Sequence, residues 1–167
     1  MLKLANILLI LAATSTALMA GLFYAWSCSV TIGLAKVPDT VYIASMQAMN
    51  RAIQNFAFFT CFFGTLLLLP LSTYLQYSAP ASGRFWCLLA ASLLYVIGVF
   101  GVTVVGNVPL NEALDAFHLS SASTQEIAAQ RARFEGPWNR LNLVRAIAGT
   151  LSVIMVIIAC LLPEEQA

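Results

Sequence analysis

FAFFTCFFGTLLLLPLSTYL, residues 56–75, runs without one charged side chain. The hydrocarbon core of a bilayer takes about 20 apolar residues in helical form. Inside it no water is left to satisfy backbone amides and carbonyls, so only helices and closed barrels cross. The run shows no alternation of apolar and polar residues, which selects a helix. The same argument applies at 4–34, 85–105 and 141–162, and it widens the quoted span to about 53–77. The expected fold is all-α: a four-helix transmembrane bundle with both termini on one side, forming a single membrane domain over 1–167.

Composition agrees. Hydrophobic residues make up 60% of the 167-residue chain and charged residues 9%, against about 25% charged in a soluble domain. The chain is expected to be an integral, multi-pass membrane protein, of the cell membrane if the source is bacterial, with membrane lipid as its surroundings. A net charge of +1 argues against a nucleic-acid partner. The first apolar run continues without a charge from Leu4 to Ala35. That is far longer than the roughly 7–15 residue core of a cleaved leader, so it is read as a retained first span. The four cysteines sit apart in apolar runs and there is one histidine, His118. No zinc or C-x-x-C spacing exists, and no metal is expected.

Between the spans the chain is structured. In 38–54, Tyr42, Met46, Met49 and Ile53 recur at helical spacing, with Gln47, Asn50, Arg51 and Gln54 on other faces. A helix over 39–54 is expected to run straight into span two as one long element. The segment 107–137 is expected to be a helical loop. Asn111 suits the cap of a short helix. Ser123 with Glu126 fits a capping box for a second helix over about 124–133, which Glu135, Gly136 and Pro137 then break. Span one carries Ala13, Ala17, Gly21, Ala25, Ser29 and Gly33 at every fourth position. Such a small-residue stripe permits close helix packing, either inside the bundle or between two copies in a homodimer.

Polar groups gather at one membrane end. Trp138, Asn142, Arg145, Gly149 and Ser152 fall on one stripe of span four. Arg145 lies about 6 Å of helix rise past Leu141, where a charge costs about 2.5–3.5 kcal/mol unless paired or snorkelling. Asn107 and Asn111 flank Pro109 at the exit of span three, with Pro109 expected to interrupt that helix. The Gln47–Asn50–Arg51 face lies at the same end. The cluster suits a binding or catalytic site, or alternatively a clasp that ties the loop down. Arg145 is expected near Asn107 or Asn111, with Glu112 or Asp115 as a carboxylate partner.

Three stretches occur in order between the spans: MQAMNRAIQNFAF (46–58), VVGNVPLNEAL (104–114) and WNRLNLVRAIAG (138–149). This pattern resembles the DUF1772 family, also called anthrone oxygenase-like, over nearly the whole chain. The resemblance implies four membrane helices. For some members it implies oxidation of anthrones to anthraquinones by molecular oxygen, without metal or flavin, and hence no cofactor. The motif positions that carry over are Gln47, Asn50, Asn107, Pro109, Asn111, Trp138, Asn142 and Arg145. Asn142 stands where some relatives have histidine; if that histidine is a base, this chain lacks it.

The chemistry suits such a site. A hydroxyanthrone has an acidic C–H, and its carbanion is electron-rich enough to meet oxygen directly. The protein needs to bind a flat ring system, assist deprotonation and hold an anion. Arg145, Asn111 and Asn107 are the candidate catalytic residues, with Arg145 holding the anion. Trp138, Asn142, Asn50 and Gln47 are the candidate contacts to a small aromatic or lipid-like ligand. Glu112, Asp115 and His118 are base candidates by proximity. The competing reading is a non-catalytic membrane protein that binds a lipid, a small ligand or a protein partner. A transporter is disfavoured, since no span has a mid-membrane charge or the broken helices common in transporters.

Overall fold

The computed structural model describes residues 3–77 and 79–163; the ends of the expected 1–167 domain and residue 78 lie outside them. The described residues form helices and connecting turns, with no strand. Four helices are long and apolar enough to cross a membrane: α1 (Leu4–Leu34), α3 (Phe56–Leu75), α4 (Gly83–Asp115) and α5 (Thr124–Leu161). The shorter α2 (Asp39–Ala52) lies between α1 and α3. α1 packs on α3 and α5, and α4 packs on α3 and α5, which makes a four-helix bundle.

α2 and α3 are two helices, which corrects the expectation of one continuous element. Asn55 separates them in an extended conformation. Its Nδ2 donates to the Ala52 carbonyl at 2.8 Å, and its Oδ1 accepts from the Phe58 amide at 3.0 Å. One short amide side chain thus satisfies the end of one helix and the start of the next, which offers the backbone an alternative to continuing.

The reverse correction holds further on. Ser123 and Glu126 form the capping box, yet the helix it starts does not stop at Pro137. α5 runs unbroken from Thr124 to Leu161 with Pro137 inside. Gly136 and Pro137 lie on its exposed face, where the Arg133 carbonyl, deprived of its i+4 donor, can turn to water. Nor does Pro109 end span three. π-helical turns cover Leu94–Gly101 and Thr103–Asn107, and the helix continues through Val108 to Asp115. The wider turn just before Pro109 accommodates a residue with no N–H to give. Only residues 116–123 remain as the connection between α4 and α5, with a short 3₁₀ turn at Leu119–Ser121.

The stripe of span one is also corrected as a bundle contact. Ala17, Gly21, Ala25, Ser29 and Gly33 face outward. The packed face is Leu9, Ala12, Thr16, Met19, Ala20 and Phe23. Close approach comes from the other helices instead. A Cβ on Gly149 would lie 3.3 Å from Ala20, and one on Gly98 would lie 2.5 Å from Ala148. Buried hydroxyls join the spans: Thr73 to Ser92 at 2.9 Å, Ser152 to the Ala91 carbonyl at 2.9 Å, and Tyr95 to the Phe62 carbonyl at 2.9 Å.

At the end of the bundle, α2 is held over the start of α5. Tyr42, Ile43 and Met46 pack with Leu114, Ile127, Phe134 and Trp138. Arg131 fastens this layer. It pairs with Asp39 at 2.8 Å and Glu135 at 2.7 Å, and it donates to the carbonyls of Val37, Ala35 and Leu34 at the end of α1. Its guanidinium also lies over the Tyr42 ring at 4.5 Å. Burial pushes the Tyr42 phenol well above its ordinary range, Glu135 adds to this, and Arg131 opposes it; the hydroxyl stays protonated.

Candidate functional site

The stripe of α5 turns inward. Trp138, Asn142, Arg145, Gly149 and Ser152 are all buried, so Arg145 does not snorkel. It reaches across to α4. Nη1 donates to Thr103 Oγ1 at 3.3 Å and Nη2 to Asn142 Oδ1 at 2.9 Å, while the buried Nε has no partner. The guanidinium lies over the Phe23 ring at 4.3 Å and 5.4 Å from the Trp138 ring. Among the described residues no carboxylate pairs with it, contrary to expectation: Asp115 pairs with Arg51 at 2.5 Å. Aromatic faces stabilise a cation by about 2 kcal/mol or more when desolvated, and here they stand where a counter-ion was expected.

Asn142 is the hinge of the arrangement. While its Oδ1 holds Arg145, its Nδ2 donates to Ser27 Oγ at 2.8 Å and to the Phe23 carbonyl at 3.2 Å. Both acceptors border the start of the π-helical turn Trp26–Val30 in α1. Register shifts of this kind release carbonyls from the regular ladder and recur at functional sites. The two asparagines of span three take different roles. Asn111 Oδ1 accepts from Trp138 Nε1 at 2.8 Å, which fixes the indole beneath Arg145. Asn107 is 1% exposed, and neither of its amide atoms has a partner.

These groups border a cavity of about 550 Å³ between α1, α3, α4 and α5, under α2. Its lining has a polar part, Asn50, Thr103, Asn111, Asn142 and Arg145, and an aromatic part, Phe58, Phe59, Phe62, Phe63 and Phe100 with Trp26 and Trp138. Asn50 is buried and its Nδ2 has no partner. Arg51, Glu112 and Asp115 border the cavity at the polar end of the bundle.

Of the seven residues singled out in the sequence, Arg145, Asn111, Asn50, Trp138 and Asn142 meet on this cavity. Asn107 and Gln47 do not border it. Gln47 Nε2 instead donates to the Leu114 and Phe117 carbonyls at 2.8 and 2.9 Å, clasping the end of α4. Among the base candidates, Glu112 and Asp115 border the cavity and His118 does not. Thr103, Phe23 and Ser27 are contacts that the sequence reading missed. Thr103 was accessible to it: it lies one helical turn before Asn107. Among the described residues, no group of three or more His, Cys, Asp or Glu is placed to hold a metal ion.

A family model described as anthrone oxygenase matches residues 58–155. The match takes in Phe58, Phe59, Phe62 and Phe63 of α3, the Asn107–Asn111 segment and the buried stripe of α5. No curated protein and no solved structure matches the chain.

Proposed function

The chain belongs to the anthrone oxygenase family, whose model matches more than half of it, and on that premise we propose that the cavity binds a flat, oxygen-bearing aromatic molecule of the anthrone type and promotes its oxidation by molecular oxygen. The observation that carries this reading is Arg145: a buried guanidinium, with no carboxylate among the described residues paired to it, on the wall of an aromatic cavity. A charge so placed stabilises an anion more strongly than it would in water, because little solvent competes. The cavity volume falls within the roughly 300–1,000 Å³ of small-molecule sites.

In this reading the rings of the substrate stack on the phenylalanines of α3. The free donors Arg145 Nε and Asn50 Nδ2 meet its oxygen atoms. Glu112 takes the acidic C–H proton, and Arg145 holds the resulting enolate. The carbanion carbon then bonds to oxygen. The peroxide collapses, leaving one oxygen atom as the new carbonyl and releasing the other as water. Anthrone plus one oxygen molecule thus yields anthraquinone plus one water. Asn111 and Asn142 act through others, orienting Trp138 and Arg145.

A second reading is a binding protein without turnover. It is favoured by the asparagines: Asn111 Oδ1 and both ends of Asn142 are already engaged, so few groups are free for chemistry. One assay separates the two. Purified protein in lipid nanodiscs is given an anthrone and oxygen, and quinone absorbance is followed. A rate above the spontaneous one, lost in Arg145→Gln, is expected. Equal rates with and without protein remove the enzyme reading.

A further inference from the structure

We propose that the ligand of this cavity is dissolved in the bilayer and passes sideways between lipid and site, through an opening between the first turns of α3 and residues 104–108 of α4. The inference rests on reading the cavity as a site for an oxygen-bearing aromatic; it adds the route and, with it, a substrate class that partitions into membranes.

The opening is marked by cavity-lining residues that packing leaves uncovered. Phe59, Phe63 and Val104 border the cavity and are 40%, 46% and 47% exposed. Val108 combines the same two properties. A wall whose side chains keep that much open surface is incompletely packed, and its parts move without disturbing the core. Their level is that of the bilayer: Phe63 lies about 10 Å of helix rise past the start of α3. Every side chain of the four is apolar, so the passage matches the acyl chains beside it.

The backbone explains why a gap exists there. Asn55 breaks the chain before α3, so α3 need not follow α2. Further along, the Tyr95 hydroxyl bonds to the Phe62 carbonyl and Thr73 bonds to Ser92, which fastens α3 to the first half of α4. α3 packs on Gly83–Leu93, whereas no comparable packing joins it to Thr103–Asp115. The two helices therefore part between the Asn55 break and the Tyr95 bond. The opposite approach, from water, meets charge: Arg51 pairs with Asp115 at the polar end of the cavity, and Gln54 and Glu112 border it there. An apolar ring system would have to leave the bilayer and pass that pair. The lateral route avoids both steps.

The test measures rates. Trp26 and Trp138 border the cavity, so in a Trp86→Phe background the indole fluorescence reports on it. A dihydroxyanthraquinone is mixed with protein in phosphatidylcholine nanodiscs and quenching is followed by stopped flow. Val104→Phe narrows the passage and should slow association and dissociation together, at least about fivefold. Val108→Ala widens it and should speed both. A gate alters rates, so Kd should change less than about twofold in either variant. Arg51→Ala, which removes the pair at the polar end, should change the rates less than either passage variant. If Val104→Phe and Val108→Ala leave the rates unchanged, the lateral route is overturned; a rise in Arg51→Ala alone then places access at the water side. If the unaltered passage shows no quenching at all, the reading of the cavity as an aromatic site falls instead.

Discussion

Replacing Asn142 by alanine removes three hydrogen bonds with one cut, and the structure says which of them matters most. The two from Nδ2, to Ser27 and to the Phe23 carbonyl, are neutral contacts between membrane helices, which average about 0.6 kcal/mol each. The third, from Arg145 Nη2 at 2.9 Å, is charge-assisted and contributes about 1.5–3 kcal/mol. The whole loss should come to about 3 kcal/mol. It leaves a 5% exposed guanidinium with Thr103 at 3.3 Å as its remaining acceptor. If Arg145 is first replaced by methionine, only the neutral pair remains to be lost, and Asn142→Ala should then cost about 1 kcal/mol. The double-mutant cycle should show a coupling of about 2 kcal/mol. Unfolding equilibria of the four proteins, measured by steric trapping in bicelles, give that number. Additivity within about 0.5 kcal/mol, the behaviour of independent sites, would show that Asn142 does not hold Arg145.

Arg145→Lys keeps the charge but not the planar fork that reaches Asn142 and Thr103 together; affinity for a dihydroxyanthraquinone should fall at least about tenfold, and unchanged fluorescence quenching would count against the site. Arg131→Ala unpins α2 from the ends of α1 and α5; it should cost about 3 kcal/mol, the lower end for a buried pair, since Asp39 and Glu135 are near enough to water to rehydrate, and thermal unfolding in detergent reads the loss. Gly98→Ala places a Cβ 2.5 Å from that of Ala148 and should destabilise by about 1–3 kcal/mol through overpacking; an unchanged melting temperature would deny that α4 and α5 touch there. Outside the membrane, the Ser123 hydroxyl and backbone amide hold the Glu126 carboxyl below its ordinary value; its stabilisation of the first turn of α5 is present at neutral pH and lost as pH falls through that lowered value, so the protection of amides 124–127 against exchange, relative to their intrinsic rates, should fall in acid, and Glu126→Gln should abolish that pH dependence.

Four apolar runs were enough to read four membrane helices, because lipid leaves the backbone no other way to satisfy its own polar groups. The buried stripe of α5 was legible for a similar reason. Helical periodicity puts Trp138, Asn142 and Arg145 on one side whatever surrounds them, and their polarity demands a partner. Where helices begin and end was less legible. Asn55 looks unremarkable in the chain and stops a helix, while Pro137 and Pro109 look like stops and do not. In each case the outcome depends on what lies around the backbone: a side chain in reach of two helix ends, an exposed face, or a π-helical turn. The rotation of each helix about its own axis was hidden for the same reason. The outward small-residue stripe of α1 and the packed face beside it look equally fit for burial until Gly149 and Gly98 are placed opposite their neighbours. So too with the site. Thr103 and Arg145 stand 42 residues apart, and Asn111 and Trp138 stand 27 apart. No local pattern pairs them, since such contacts arise from the packing of separate helices, and the free energy that selects that packing is summed over the whole bundle.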